Sequence, residues 1–121
     1  MRVMVIIKAN KDSEAGVLPS EKLLTDMQNF NEELVKAGVM LAGEGLKDSS
    51  HGVRVNFSGK NRTVTDGPFA ETKEQLAGYY ILDCTSLDEA IAWAGKIPTG
   101  CQGGEGCVEI RPIRPMKVAV E

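Results

Sequence analysis

Two short runs, "RVMVIIK" at residues 2–8 and "GYYILDC" at residues 78–84, constrain the fold of this chain more than any other feature. Each is rich in β-branched or aromatic residues and apolar without alternation, the pattern of a strand buried on both faces. Val3, Val5 and Ile7 point one way while Met4 and Ile6 point the other. Tyr79 and Ile81 likewise oppose Tyr80 and Leu82. A sheet with helices on one side only would leave the second apolar face in water, a larger patch than monomers carry. A second subunit is the simplest cover, so the expected assembly is a homodimer joined through the helix-free sheet faces.

The segments between these strands complete a pattern. Pro19-Ser20 opens a helix that Ser20 can cap, with Leu23, Met27, Phe30, Leu34 and Ala37 on one stripe and Gly38 ending it. "VMLAGEGL" reads as a strand weakened by Gly43 and Gly45, and "GVRVNFSGKNRTVTDG" as a hairpin turning at "SGKN". Ser86 to Glu89 forms a capping box for a second helix, whose stripe is Leu87, Ala90, Ile91, Ala94 and Ile97 and whose stop is Pro98. A glycine-rich loop then leads to a last strand, "CVEIRPI". The order predicts an α+β fold, a ferredoxin-like sandwich: an antiparallel sheet with both helices on one face, widened by the inserted hairpin. Residues 1–113 make one domain, and 114–121 are a C-terminal tail.

With 121 residues there is room for one domain and a real core. The formal charge of −3 and the scattered Lys and Arg exclude a surface that tracks phosphates, so no nucleic acid is expected. No apolar run is long enough to span a bilayer, and the first ends at Ile7, so no membrane is expected and the location is cytoplasmic. Three cysteines and one histidine lack metal-ligand spacing; Cys84, Cys101 and Cys107 read as idle thiols, with neither metal nor disulfide. No nucleotide-binding glycine motif, P-loop or haem-attachment motif occurs, and no cofactor is expected.

Chemistry concentrates in "TDGPFAETKEQLAGYYIL", residues 65–82. Asp66 can close an Asx-type turn, Gly67 and Pro68 re-aim the chain, and Phe69 is an apolar anchor. Thr72 and Gln75 resemble a capping box for one helical turn, with Glu71, Lys73 and Glu74 at its start. A rigid corner explains these residues by itself, yet loops on rigid scaffolds carry function. Asp66 is therefore one candidate base. The other is Glu44, an acid between glycines in an apolar strand, where burial would raise its pKa into a useful range. The structural alternative is an ion pair from Glu44 to Arg111 or Arg54; Glu109 and Arg111 share a face and can form a rim pair. Phe69, Glu71, Tyr79 and Arg111 complete the ligand-binding set, Arg111 to steady negative charge. One of Tyr79 and Tyr80 belongs to the core; alternation alone does not say which, and Tyr79 is the one assigned to the ligand.

That stretch, together with "AGVMLAGEGL" and "VEIRPI", resembles the DGPF (YCII-related) family of small bacterial proteins, from the first strand to Pro112. The resemblance implies a ferredoxin-like fold paired into a dimeric α+β barrel, with a ligand cleft near the dimer interface. Some relatives are described with a His–Asp pair suited to proton transfer, including a dehydrochlorinase activity on chlorinated hydroxyquinols. Here no histidine precedes His51, which in "DSSHGV" reads as a solvated loop residue, so the pair is not carried over. Other members tend to be encoded beside extracytoplasmic-function sigma factors, which implies a regulatory or accessory role as the alternative. The expected function is binding of a small organic ligand; if the protein is an enzyme, its chemistry is cofactor-free proton transfer of the isomerase or lyase kind.

Overall fold

The protein is described from a computed structural model that covers residues 1–71, 74–98 and 107–115. The first apolar run forms β1 (Arg2–Lys8), followed by a single helical turn, α1 (Lys11–Glu14), and the long helix α2 (Glu21–Lys36). Then come β2 (Met40–Gly45), a 3-10 turn at Ser49–His51, the hairpin β3 (Val53–Ser58) and β4 (Asn61–Asp66), β5 (Leu76–Asp83), α3 (Leu87–Ala94) and β6 (Val108–Pro112). The main sheet has the order β2-β5-β1-β6, with every neighbouring pair antiparallel. Each strand-helix-strand unit thus leaves a gap that a strand of the other unit fills, the ferredoxin-like order read from the sequence.

Local chemistry sets the helix ends. The Ser20 hydroxyl accepts from the Leu23 N–H at 3.1 Å, as an N-cap should. At the other end Gly38 adopts φ +73, letting its own N–H reach the Val35 carbonyl and the Val39 N–H reach that of Leu34. This pair of bonds satisfies carbonyls that a helix end leaves open. In α3 the Glu89 N–H donates to Ser86 Oγ at 3.2 Å, but the Glu89 carboxylate passes over the cap residue and accepts from Thr85 instead. Those Thr85 bonds hold the Glu89 carboxyl below its ordinary pKa.

The core lies between the sheet and the two long helices. Val3 opposes Leu82 and Val5 opposes Tyr80 across the central strand pair, and all four side chains are buried against Phe30 and Leu34 of α2 and Ala90 and Ala94 of α3. Phe30 packs edge-on to both Tyr80 and Trp93. Tyr80 is therefore the core tyrosine; its hydroxyl donates to Asn31 Oδ1 at 2.5 Å, and burial raises its pKa. Tyr79 lies on the opposite, helix-free face beside Ile6. The stripe of α3 differs from expectation. Leu87 and Ile91 stay exposed, and Trp93 packs against the core instead, because Ala90, Ala94 and Ile97 already occupy the side toward the sheet. Ala37, at the C-cap of α2, is exposed as well.

The hairpin is a correction of a larger kind. It does not widen the main sheet; among the described residues β3 and β4 pair only with each other, and all twelve of their residues are exposed. Between β2 and β3 the chain leaves the sheet through the 3-10 turn, so β3 never reaches the ladder along β2. The expected one-turn capping at Thr72 and Lys73, the loop containing Cys101 and residues 116–121 of the expected tail lie outside the described residues. No helix among the described residues is long and apolar enough to cross a membrane.

Leu34 is fully buried at the centre of this core, so Leu34→Ala should lower unfolding free energy by about 2–5 kcal/mol in urea titration. Tyr80→Phe should remove about 0.5–1.5 kcal/mol through the Asn31 bond alone. A loss for Leu34→Ala no larger than that for Tyr80→Phe would contradict this placement of the core.

Candidate functional site

One cleft of about 420 Å³ opens where the chain leaves β2 and returns to β5. Its apolar walls are Leu46, Leu76 and Phe69, and its polar groups come from Glu14, Lys47, Asp48, Ser49, His51 and Glu74. Three pieces of chain far apart in sequence meet here, and each has a local reason for its position.

Asn10 caps α1 through a reciprocal pair with Ser13, its Oδ1 accepting from the Ser13 N–H at 2.8 Å while Ser13 Oγ accepts from the Asn10 N–H at 2.8 Å. This turn carries Glu14 to the cleft, where the carboxylate accepts from the Ser49 N–H at 3.0 Å and from the Ser49 hydroxyl at 2.5 Å. Asp48 caps the 3-10 turn, accepting from the Ser50 N–H at 3.2 Å and from the Ser50 hydroxyl. The Ser50 bonds, with His51 nearby, hold the Asp48 carboxyl below its usual range. His51 Nδ1 stands 3.4 Å from Asp48 Oδ1. The imidazole is 58% exposed while the Asp48 side chain is 13% exposed, so the histidine faces solvent and the acid backs it.

The corner at residues 66–69 closes onto this turn. The Gly67 N–H donates to the Gly52 carbonyl at 2.9 Å, and the Phe69 N–H donates to Ser49 Oγ at 3.1 Å. The peptide between Gly67 and Pro68 is cis. A Cβ at position 67 would overlap the Ser49 carbonyl, which explains the glycine. Arg54 of β3 lays its guanidinium over the Phe69 ring, 3.9 Å from the centroid, a cation–π contact.

The residues expected from the sequence fare unevenly. Phe69 is in the cleft wall as an anchor. Asp66, at the end of β4, is exposed and opposite Val53; an Asx turn is closed to it because the residue two on is Pro68, which has no N–H. The N–H groups on either side of Pro68 serve Gly52 and Ser49, so those contacts, not Asp66, fix the corner. Glu44 sits at an edge strand and is exposed, so the burial that argued for a raised pKa is not found. Gly43, read as a weak point of the strand, makes room for the Tyr80 ring, which a Cβ there would meet at 2.7 Å. Glu71 is exposed at φ +63. Arg111 lies on the far edge strand, with its NH1 donating to Glu109 Oε2 at 3.2 Å, the rim pair expected, with Lys8 joining at 3.6 Å. Three strand spacings, about 14 Å, separate β6 from β2, so Arg111 neither pairs with Glu44 nor serves the cleft. Tyr79 faces the open side of the sheet next to Glu44.

Glu14, Asp48 and Ser49 are not among the residues singled out from the sequence, and His51 is read there only as a solvated loop residue, although two signals point to them. "NKDS" and "DSSH" each begin with a capping residue, which fixes where the side chains three or four positions on will stand. Among the described residues no group of three or more His, Cys, Asp or Glu could hold a metal.

The family model described as the YCII-related domain matches residues 1–117. An uncharacterized protein of Rhizobium meliloti (strain 1021) is 36% identical over 93 residues, which is 77% of this chain and 74% of that one. Among solved structures, the 5-chloro-2-hydroxyhydroquinone dehydrochlorinase of Burkholderia phenoliruptrix AC1100, in complex with 2,5-dihydroxybenzoquinone, superposes with a TM-score of 0.53 over 94% of both chains at 12% identity. At that identity the likeness is one of fold.

Two outcomes test the clip around Ser49. Ser49→Ala removes its hydroxyl bonds to Glu14 and to the Phe69 N–H and should lower stability by about 1–3 kcal/mol in total. Gly67→Ala should be at least as damaging, since backbone must move to admit the Cβ; wild-type melting in both would show that the corner is held otherwise. Asp48 gives a pH test. Its pKa is depressed, so its contribution is fully present above the unfolded value of about 3.9 and lost as pH falls through the lower folded one. In Asp48→Asn the melting temperature should fall less steeply than wild type below that pH.

Proposed function

This chain belongs to the YCII-related domain family, and from that premise we propose that its cleft binds a small single-ring ligand and moves a proton on it without a cofactor. His51 is the proton acceptor and Asp48 its orienting partner. The observation that carries this reading is the His51–Asp48 pair at the cleft, 3.4 Å apart, beside the Phe69 wall. With Nδ1 turned to the carboxylate, Nε2 is the nitrogen presented to a ligand. An ionised Asp48 favours the imidazolium that forms when a proton arrives, the same logic by which an acid supports a catalytic histidine elsewhere. Phe69, Leu46 and Leu76 offer a face for an apolar ring, and Lys47 is the cation nearest in sequence to steady developing negative charge.

The solved neighbour is named for its action on a chlorinated hydroxyquinol and holds a dihydroxybenzoquinone. Hydroxylated single rings are therefore the first probes. Hydroquinone and 2,5-dihydroxybenzoquinone should raise the melting temperature of the wild type, because a ligand that binds only the folded state stabilises it. Exchange of ring C–H for deuterium in heavy water, followed by NMR, should be faster with wild type than in buffer. His51→Gln should return the rate to background, and Asp48→Asn, which removes only the orienting partner, should lower it about tenfold, less than the roughly 10²–10⁴-fold that the general base itself supplies. Asp66→Asn and Glu44→Gln should stay near wild type. No shift in melting and no exchange with either ring would overturn the reading, as would full activity in His51→Gln.

A further inference from the structure

On the reading that the cleft binds a hydroxylated ring, we propose that Arg54 is a positioning residue: acting through the ring of Phe69, it favours phenols bound as their anions. One backbone bond brings the pair together. The Gly67 N–H donates to the Gly52 carbonyl at 2.9 Å, and Arg54 and Phe69 stand two residues beyond its two ends. The hairpin register sets Arg54 opposite Thr65, beside the proline corner. Its guanidinium lies 3.9 Å from the Phe69 centroid, a contact suited to a planar side chain that stays charged at any working pH. Phe69 lines the cleft and Arg54 does not, so the cation meets the ring from outside the cleft. Among the described residues no carboxylate pairs with Arg54.

Charge gives this contact a consequence. The carboxylates of Glu14, Asp48 and Glu74 line the cleft against Lys47 and His51, and that excess of acids resists an anionic ligand. Proton transfer to His51 nonetheless makes one. The O–H bond of a ring hydroxyl breaks, the proton passes to Nε2, and the electron pair stays on the ligand, spread from the oxygen over the ring. A ligand ring stacked on Phe69 puts that charge one ring thickness from the guanidinium, with an aromatic side chain instead of water between them. The attraction there is less screened than between solvated charges, and a neutral ring in the same place gains little from it. Arg62 offers a comparison within the same hairpin. Its guanidinium lies 4.4 Å from the Phe57 centroid, a contact of the same kind, but neither of those residues lines the cleft.

The probe is para-nitrophenol, whose anion absorbs visible light while its neutral form does not. With protein in excess, in buffer near the pKa of the free phenol, the bound phenolate-to-phenol ratio should be about threefold lower for Arg54→Gln than for wild type, the scale of an exposed cation–π contact. Arg54→Lys keeps the charge and should recover part of the ratio. Arg62→Gln removes the same charge away from the cleft and should match wild type. Both arginines are exposed, so circular dichroism should be unchanged throughout. A purely structural Arg54 would weaken binding of phenol and phenolate alike and leave the ratio where it was. An unchanged ratio in Arg54→Gln, or an equal fall in Arg62→Gln, would overturn the assignment and leave His51 and the cleft as proposed. Failure of the wild type to bind para-nitrophenol would overturn it too, and hydroquinone, bound or not, then tells whether the cleft reading falls with it.

Discussion

Everything in this molecule is hung on the antiparallel pairing of β1 with β5. That register sets Val5 against Tyr80 and Val3 against Leu82 on one side, and Ile6 against Tyr79 and Met4 against Ile81 on the other. A slip of one residue would exchange the two sets, sending Tyr80 away from Phe30 and leaving Asn31 without its phenol donor. The flanking strands follow from it. β2 can lie close along β5 because Gly43 leaves space for the Tyr80 ring, and among the described residues β6 pairs only with β1, so its Pro112 sits on an edge strand where a missing N–H is tolerated.

From this rigid sheet the cleft inherits its position but not its rigidity. The residues that matter there stand on a four-residue helix, a 3-10 turn and a cis-proline corner, none of which has a hydrophobic core of its own. Ser49 joins all three: its N–H and hydroxyl donate to Glu14, and its oxygen accepts from the Phe69 N–H. One short side chain thereby relates an acid, a histidine-bearing turn and an aromatic wall. Each of these bonds is worth about 1 kcal/mol net, little for a fold and enough to order a loop.

How much of this could be read from the sequence depended on the range of the signal. Uninterrupted apolar runs and capping residues are local, and from them the strand order, both ends of α2 and the start of α3 follow; α3 ends at Ala94, before the stop expected at Pro98. At Glu44 and Asp66 the local surroundings mislead, for opposite reasons. Apolar neighbours of Glu44 suggested burial, but an edge position exposes it. The Asp-Gly-Pro sequence suggested a local turn bond, though Pro68 offers no N–H for it. His51 was set aside as a loop residue, and exposed it is. Its partner three residues back was visible as a helix cap and was not weighed as an acid. The hairpin was recognised as a hairpin; that it would leave the main sheet depended on the path of residues 46–52, for which alternation carries no information.

The distribution of bonds among the acids then narrows the chemistry. Glu14 is bound twice by Ser49, and Asp48 is bound by Ser50 with its pKa lowered. A carboxylate that accepts from fixed N–H and O–H donors is stabilised in its charged form, which makes it a weaker base. Asp48 is thus poorly suited to taking a proton from a ligand near neutral pH. Histidine is the side chain whose ordinary pKa lies near that pH, and the one in this chain stands at the cleft with a carboxylate behind it. On the proposed reading Asp48 then serves as fixed negative charge behind the ring of His51, while Glu14 holds the turn through Ser49.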